Sequence, residues 1–363
     1  MLKRSVILFF ILIVLYVTNA FLFPFPKKNV PEGFRPQYGT SYSFEQASWY
    51  GYDGRTEFVN LLDEVKFSWV RLPFFWDEMV DLNGEFNKNF EDLEFAIDEA
   101  GQRNVKVIVA LGLKTPYYPE YHLPDVIEKQ IKFGEKIDNH HPIANDVMSI
   151  DKKVVERLAK YENITHWQVE NEPYLANINN WKIDKSLIRV EIDSIRSADR
   201  MQRPIILNHV GPAVFDHEWK NLIDFLGADD VFSVNAYFKT QGINLFSFSV
   251  FGREMRVAWP KILVWPVQSW YGFSPNFGFL GEQFKNNGRK FWVLEAQAEP
   301  YIRNIEDARR PNNYFRADDI IKVGMFLKSN RIEGVGFWGA NYWIYRQSVG
   351  DDTWIEAVKS VVN

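Results

Sequence analysis

The 363-residue sequence predicts an α/β fold: a (β/α)8 TIM barrel preceded by a single N-terminal transmembrane or signal-anchor helix. Three observations lead there. Short apolar runs alternate with stretches of helical apolar spacing, and the runs number eight. Most of the runs are apolar nearly throughout, as parallel strands covered on both faces must be. The alternation extends from residue 38 to residue 363, the span of a closed barrel more than of an open doubly wound sheet. The chain divides accordingly into an anchor or signal segment (1–28), a Pro-punctuated linker (29–37) and one barrel domain (38–363).

The first segment, "MLKRSVILFFILIVLYVTNAFLFPFPKK", has a basic tip and then an uncharged, mostly apolar run from Ser5 to Phe25, long enough to span a hydrocarbon core. "TNA" at Thr18 to Ala20 serves as a signal-peptidase site, but the apolar run continues through "FLFPF", which favours an uncleaved anchor. Lys3 and Arg4 hold the tip in the cytoplasm and send the barrel outward, a bias that Lys27 and Lys28 weaken. The expected location is therefore membrane-anchored and extracytoplasmic, or secreted if the segment is cleaved. With no cysteine, an exported domain has no disulfides and depends on its core, for which 46% hydrophobic residues are ample.

In order, the first strand is "YGTSYSF" (38–44), which follows the linker. The helical pattern "RTEFVNLLDEV" leads to the second, "FSWVRLPF" (67–74), whose one charge is Arg71 near its end. "NFEDLEFAIDEAGQRN" leads to the apolar third, "KVIVALGL" (106–113), and "SIDKKVVERLAKYEN" to the fourth, "ITHWQVENE" (164–172). "KSLIRVEIDSIRSADRM" precedes the fifth, "PIILNHV" (204–210), and "HEWKNLIDFLG" the sixth, "VFSVNAYF" (231–238). The seventh is "KFWVLEAQ" (290–297); "ADDIIKVGMFLKSN" precedes the eighth, "EGVGFWGA" (333–340). Two connections are enlarged, one after strand 3 and an aromatic one from Lys239 to Arg289. Loops of that length are usually functional. The aromatic one has three readings: a cleft wall with Trp265, Trp270 or Tyr271 stacking on sugars, a flap lying on a membrane, or a loop burying its own rings.

Chemistry concentrates at the C-terminal ends of such strands. Gln168, Glu170 and Glu172 share one parity of strand 4, so all three are expected to point into the barrel, with Glu172 last before Pro173 ends the ladder. Strand 7 repeats the pattern, four apolar residues and then Glu295. Strands 4 and 7 face each other across an eight-stranded barrel. Two carboxyls flanking one bond are the apparatus of glycoside hydrolysis, in which one gives a proton to the leaving oxygen and the other attacks the anomeric carbon. "AEPY" at Ala298 to Tyr301 echoes "NEPY" at Asn171 to Tyr174, so Glu299 rivals Glu295, and Glu170 is the lesser rival of Glu172.

These motifs make the sequence resemble the clan A glycoside hydrolases, most nearly family 5 (cellulase-like) and its relatives. The resemblance implies Glu172 as acid/base, with Asn171 beside it on the sugar 2-hydroxyl, and Glu295 as nucleophile of a retaining reaction. It further implies Arg71 as the cation that keeps the nucleophile ionised, Tyr237 as its hydrogen-bond partner and Trp338 as an aromatic floor under the sugar. Two positions depart from that pattern: "LGLKTP" ends strand 3 where many members carry histidine, and Asn235-Ala-Tyr237 stands for a His-x-Tyr on strand 6. Arg71 also has a plainer reading, as ion-pair partner of Glu170. The partner expected is an oligo- or polysaccharide with a β linkage; a non-catalytic glycan-binding barrel or a transglycosylase is the alternative.

Other signals point away from other classes. "GVGFWG" satisfies GxGxxG, yet no helix opening into a further strand fits after it, so no dinucleotide cofactor is expected. The six histidines lack HExxH or HxH spacing, and no metal is expected at His140 and His141. His209, ending strand 5, is a candidate substrate contact. The net charge of −5 with no basic run argues against nucleic acid. Asn163 in "NIT" leads straight into a buried strand and is expected to stay unglycosylated.

Overall fold

The computed structural model describes residues 32–176, 179–210, 220–238, 243–250, 253–259, 277–302, 305–309 and 315–363. The expected anchor (1–28) and the aromatic candidates Trp265, Trp270 and Tyr271 lie outside these residues. Among the described residues no helix is long and apolar enough to cross a membrane.

Eight parallel strands close into a barrel: β1 (Gln37–Ser41), β2 (Trp69–Pro73), β3 (Lys106–Leu111), β4 (Ile164–Val169), β5 (Ile205–His209), β6 (Val231–Ala236), β7 (Lys290–Gln297) and β8 (Gly334–Trp338). β1 pairs with both β2 and β8, which closes the ring. All eight lie within the expected runs or extend them by one residue; β4 stops at Val169, three residues early. The helices expected before β2, β3, β4, β5 and β8 are present, each amphipathic with its apolar stripe buried on the barrel, as in Ala144–Leu158 and Lys185–Ala198. The aromatic connection after β6 is not a plain loop: it contains an antiparallel ribbon, Ile243–Val250 with Arg253–Trp259, and a helix, Phe277–Asn286.

Alternation along each strand sorts the core into two parts. Outward residues such as Val107, Val109, Trp167, Val169, Leu207 and Phe232 join the layer beneath the helices. Inward residues Trp69, Ile108, Ile206, Val231, Trp292 and Leu294 fill the closed end of the barrel, where the indoles of Trp69 and Trp292 stack at 5.9 Å. These indoles explain the first two glycines of "GVGFWG": a Cβ on Gly334 would lie 2.2 Å from the Trp292 ring, and one on Gly336 2.4 Å from the Trp69 ring. The motif is a packing device in β8. Further along, the inward set becomes polar: Ser41, Arg71, Gln168, Asn208 and Asn235, all buried, lead to the C-terminal mouth. Asn163 donates its side-chain amide to Ile97 O at 2.7 Å, a contact that a glycan there would displace.

Candidate active site

Arg71 reaches inward from β2 and is wholly buried. Each nitrogen of its guanidinium has a partner: Nε donates to Ser41 Oγ at 2.7 Å, one terminal nitrogen to Gln168 Oε1 at 3.2 Å, and the other to Glu295 Oε1 at 2.7 Å. Tyr237 O–H donates to the second carboxylate oxygen, Glu295 Oε2, at 2.9 Å. Glu295 is therefore the partner of Arg71, and the alternative pairing with Glu170 is not formed. Burial, and then the Glu295 charge, push the Tyr237 phenol well above its ordinary range, so it remains a proton donor.

A bulge delivers Glu295 to this place. Leu294 faces the closed end of the barrel, so strict alternation would turn Glu295 outward. The pairing of β7 with β6 and β8 slips between Val293 and Glu295 or Ala296, and Glu295 turns inward as well. Bulges beside active sites re-aim side chains in this manner.

β4 is interrupted more severely. Glu170 and Glu172 have φ of 57° and 48°, left-handed conformations that non-glycine residues seldom adopt. The expected common parity fails at Glu170: its carboxylate turns out of the barrel and accepts from Leu113 N at 2.9 Å and Lys114 N at 2.7 Å. It lies against Gly112, where φ is +109° and a Cβ would be 2.6 Å from its carboxyl carbon, so only glycine fits. Glu172 turns back toward the mouth. Asn235 Nδ2 donates to Glu172 Oε1 at 2.6 Å, and Glu172 N donates to Asn208 Oδ1 at 2.9 Å. Asn171 beside it accepts from Asn208 Nδ2 at 2.9 Å and from Gln168 Nε2 at 3.2 Å.

The Glu172 carboxyl is pushed up to about 8, by burial first and by the Glu295 charge second; Lys114 and Asn235 act in the opposite direction and Glu120 adds to the rise. Asn235 is the register partner of Glu295 on the adjacent strand. Glu172 thus touches the residue next to Glu295, and neighbouring strands lie only about 4.8 Å apart.

Trp338 stands at the same mouth, 5.7 Å from the Arg71 guanidinium and 4.5 Å from the Tyr117 ring. Its indole N–H donates to Glu299 Oε1 at 3.1 Å. Burial raises Glu299 to about 8 despite that N–H, so the rival carboxyl holds neither the Arg71 ion pair nor the Tyr237 phenol and favours its neutral form. His209 follows the outward parity of Leu207, faces Tyr174 at 6.2 Å and contacts Val210 O through Nδ1. Its neighbour Asn208, not anticipated, occupies the inward position. Alternation from inward Ile206 is the signal that points to it.

Behind Glu170 lie Asp151 and Glu191, from the helices Ala144–Leu158 and Lys185–Ala198, both fully buried. Burial, reinforced by the Glu170 charge, pushes both carboxyls well above their ordinary range. Protons relieve this crowding, since burial and the neighbouring charge favour the neutral forms of both carboxyls. A carboxyl raised on folding contributes its full stability below its unfolded pKa and loses it as pH rises through the folded value. The melting temperature should therefore fall as pH rises above the ordinary carboxylate range of about 4, and Glu191→Gln should flatten that fall. An unchanged or steeper slope in the variant, followed by circular dichroism, would contradict the protonated cluster.

A family model described as "Cellulase (glycosyl hydrolase family 5)" matches residues 31–246, a segment that includes Glu172 and ends before Glu295. Comparison with curated proteins finds no match. Among solved structures, the GH5 family lichenase from Caldicellulosiruptor sp. F32 aligns with a TM-score of 0.52 at 14% identity, over 93% of this chain and 100% of that one. Its mutant in complex with cellotetraose gives 0.56 at 15% identity, with the same coverage. GH5_18 from Streptomyces cattleya, in complex with GlcNAc, gives 0.55 at 16% identity, over 84% of this chain and 70% of that one. The chain spans 61% of the length of a β-galactosidase from the psychrophilic Marinomonas ef1. Identities this low show likeness of fold.

Proposed function

The chain belongs to glycosyl hydrolase family 5, and from that membership and the paired carboxyls we propose that it hydrolyses a β-linked glycan with retention, through Glu172 and Glu295. The observation that carries this reading is the opposed treatment of the two groups. Glu295 has both oxygens held by a cation and a phenol, as a carboxylate nucleophile needs. Glu172, with its pKa near 8, keeps its proton at neutral pH, as a general acid needs.

In the first step Glu172 gives its proton to the glycosidic oxygen, the bond from that oxygen to the anomeric carbon breaks, and a Glu295 oxygen bonds to the carbon from the opposite face. Esterification removes the Glu295 charge, which is the second-largest cause of the raised Glu172 pKa. Glu172 becomes a better carboxylate at the moment its role changes. It then takes a proton from water, whose oxygen attacks the anomeric carbon and displaces Glu295. Asn171, its oxygen occupied by two donors, has its amide N–H groups to offer the 2-hydroxyl, and Trp338 presents an indole to the sugar ring.

The test is incubation of the full chain, in membrane and soluble fractions, with aryl β-glycosides and plant, fungal and bacterial polysaccharides, following the anomer first released by NMR. A β-anomer appearing before mutarotation is expected, in the membrane fraction if the segment from Ser5 to Phe25 anchors the protein. An α-anomer would replace retention with inversion. Binding to one glycan with no release across the panel would favour a non-catalytic glycan-binding barrel.

A further inference from the structure

Lys114 is wholly buried at the end of β3, in a position that the catalytic scheme above does not use. An ammonium has three N–H donors, and burial requires each to be met. Two are met by hydrogen bonds, Nζ donating to Glu172 O and Leu175 O, both at 3.0 Å, and the charge is met by an ion pair with Glu120 Oε2 at 2.9 Å. Two of the three targets belong to the turn that carries Glu172. The backbone meets the same turn again, since Asn171 N donates to Lys114 O at 2.7 Å.

We propose that Lys114 is the positioning residue of the acid/base turn, which it clamps to the loop after β3 and holds in the left-handed geometry that aims Glu172 at the glycosidic oxygen. Left-handed φ at two non-glycine residues, Glu170 and Glu172, persists only where surroundings dictate it. Glu170 is fixed by the N–H groups of Leu113 and Lys114, and Glu172 by Asn208 at its N–H and by Lys114 at its carbonyl. The stretch 113–114 thus grips the turn at both strained residues. Glu120, carried on the same loop as Lys114 and partly exposed, faces the ammonium charge and makes the clamp an ion pair. The loop also spans the mouth, for Tyr117 packs against Trp338 with its ring tilted by 38° and donates to Asn341 Oδ1 at 3.2 Å.

The clamp has an electrostatic signature. Charged and titratable groups around the Glu172 carboxyl are Glu295 from β7, Tyr237 after β6, and Lys114 and Glu120 from the loop after β3, with neutral Asn235 in contact. Lys114 lowers the pKa of Glu172 and Glu120 raises it. Removing each should move the basic limb of the kcat/KM profile in opposite directions. The inference rests on Glu172 being the acid, so Glu172→Gln is measured alongside.

The experiment is a set of kcat/KM profiles against pH, on a glycoside with a poor leaving group, for the native chain, Lys114→Met, Lys114→Arg, Glu120→Gln and Glu172→Gln. Lys114→Met is expected to lose on the order of 100-fold, as misplacement of a catalytic group by about 1 Å does, chiefly in kcat, with the basic limb moved to higher pH. Glu120→Gln should move that limb to lower pH, and Lys114→Arg should recover part of the lost kcat. Because Glu120 is partly exposed, its variant provides a reading even if Lys114→Met does not fold. Limbs unmoved in both variants, with the limb abolished in Glu172→Gln, would overturn the role of Lys114 alone. A basic limb that survives in Glu172→Gln would overturn the assignment of the acid instead.

Discussion

Glu295→Ala is expected to lower kcat/KM by on the order of 10⁴-fold or more, since loss of a covalent nucleophile removes a step that no neighbouring group repeats. The barrel should survive, because Arg71 retains its bonds to Ser41 and Gln168. It should nevertheless be less stable by about 3–5 kcal/mol, the usual consequence of stripping one partner from a buried ion pair. The vacated space is bounded by the Arg71 guanidinium and the Tyr237 hydroxyl, both of which would meet a small anion. Azide supplied with an activated β-glycoside should enter there, attack the anomeric carbon from the side that Glu295 occupied, and yield the α-glycosyl azide. Undiminished activity in the variant would shift attention to Glu299 or end the double-displacement reading. A β-configured azide product would place the attacking group on the other face.

The barrel was legible because its strands are buried on both faces. Burial on both sides produces an apolar run of definite length, and the run Lys290–Gln297 coincides with β7 to the residue. The site was legible less completely. Glu172 and Glu295 were found because each follows an apolar run, but alternation alone misdescribed how they arrive. At Glu170 the chain gives up extended geometry to place a carboxylate on the N–H groups of Leu113 and Lys114, a tertiary bargain that no local pattern announces. At Leu294 the slip of register depends on the neighbouring strands. Asn208, beside the candidate His209, is selected for the inward position by parity from Ile206. Asn235 and Lys114, which looked like departures at strands 6 and 3, both hold the acid: one touches its carboxyl and the other its carbonyl. The aromatic residues Trp265, Trp270 and Tyr271 belong to a connection whose ribbon and helix the run of rings did not foretell.

Glu172→Gln should separate substrates by their leaving groups. Glutamine keeps the shape of the side chain and its carbonyl oxygen can accept from Asn235 Nδ2 as Glu172 Oε1 does, so folding should change little. What disappears is the proton. A glycoside whose leaving group is poor needs that proton in the transition state, and its kcat/KM should fall by about 10²–10⁴-fold, the usual worth of a positioned general acid. An aryl glycoside whose phenol leaves unaided should form the glycosyl-enzyme at nearly the native rate, and then wait, because the same residue is needed to activate water. The native pH profile supplies the second half of the test. Activity requires the protonated acid, whose pKa burial and the Glu295 charge raise to about 8. It should therefore hold through neutral pH, decline as pH passes about 8, and show no such decline in the variant. Equal losses on both classes of glycoside would remove Glu172 from the proton transfer, and Glu299, which burial also raises to about 8, would be the next carboxyl to test.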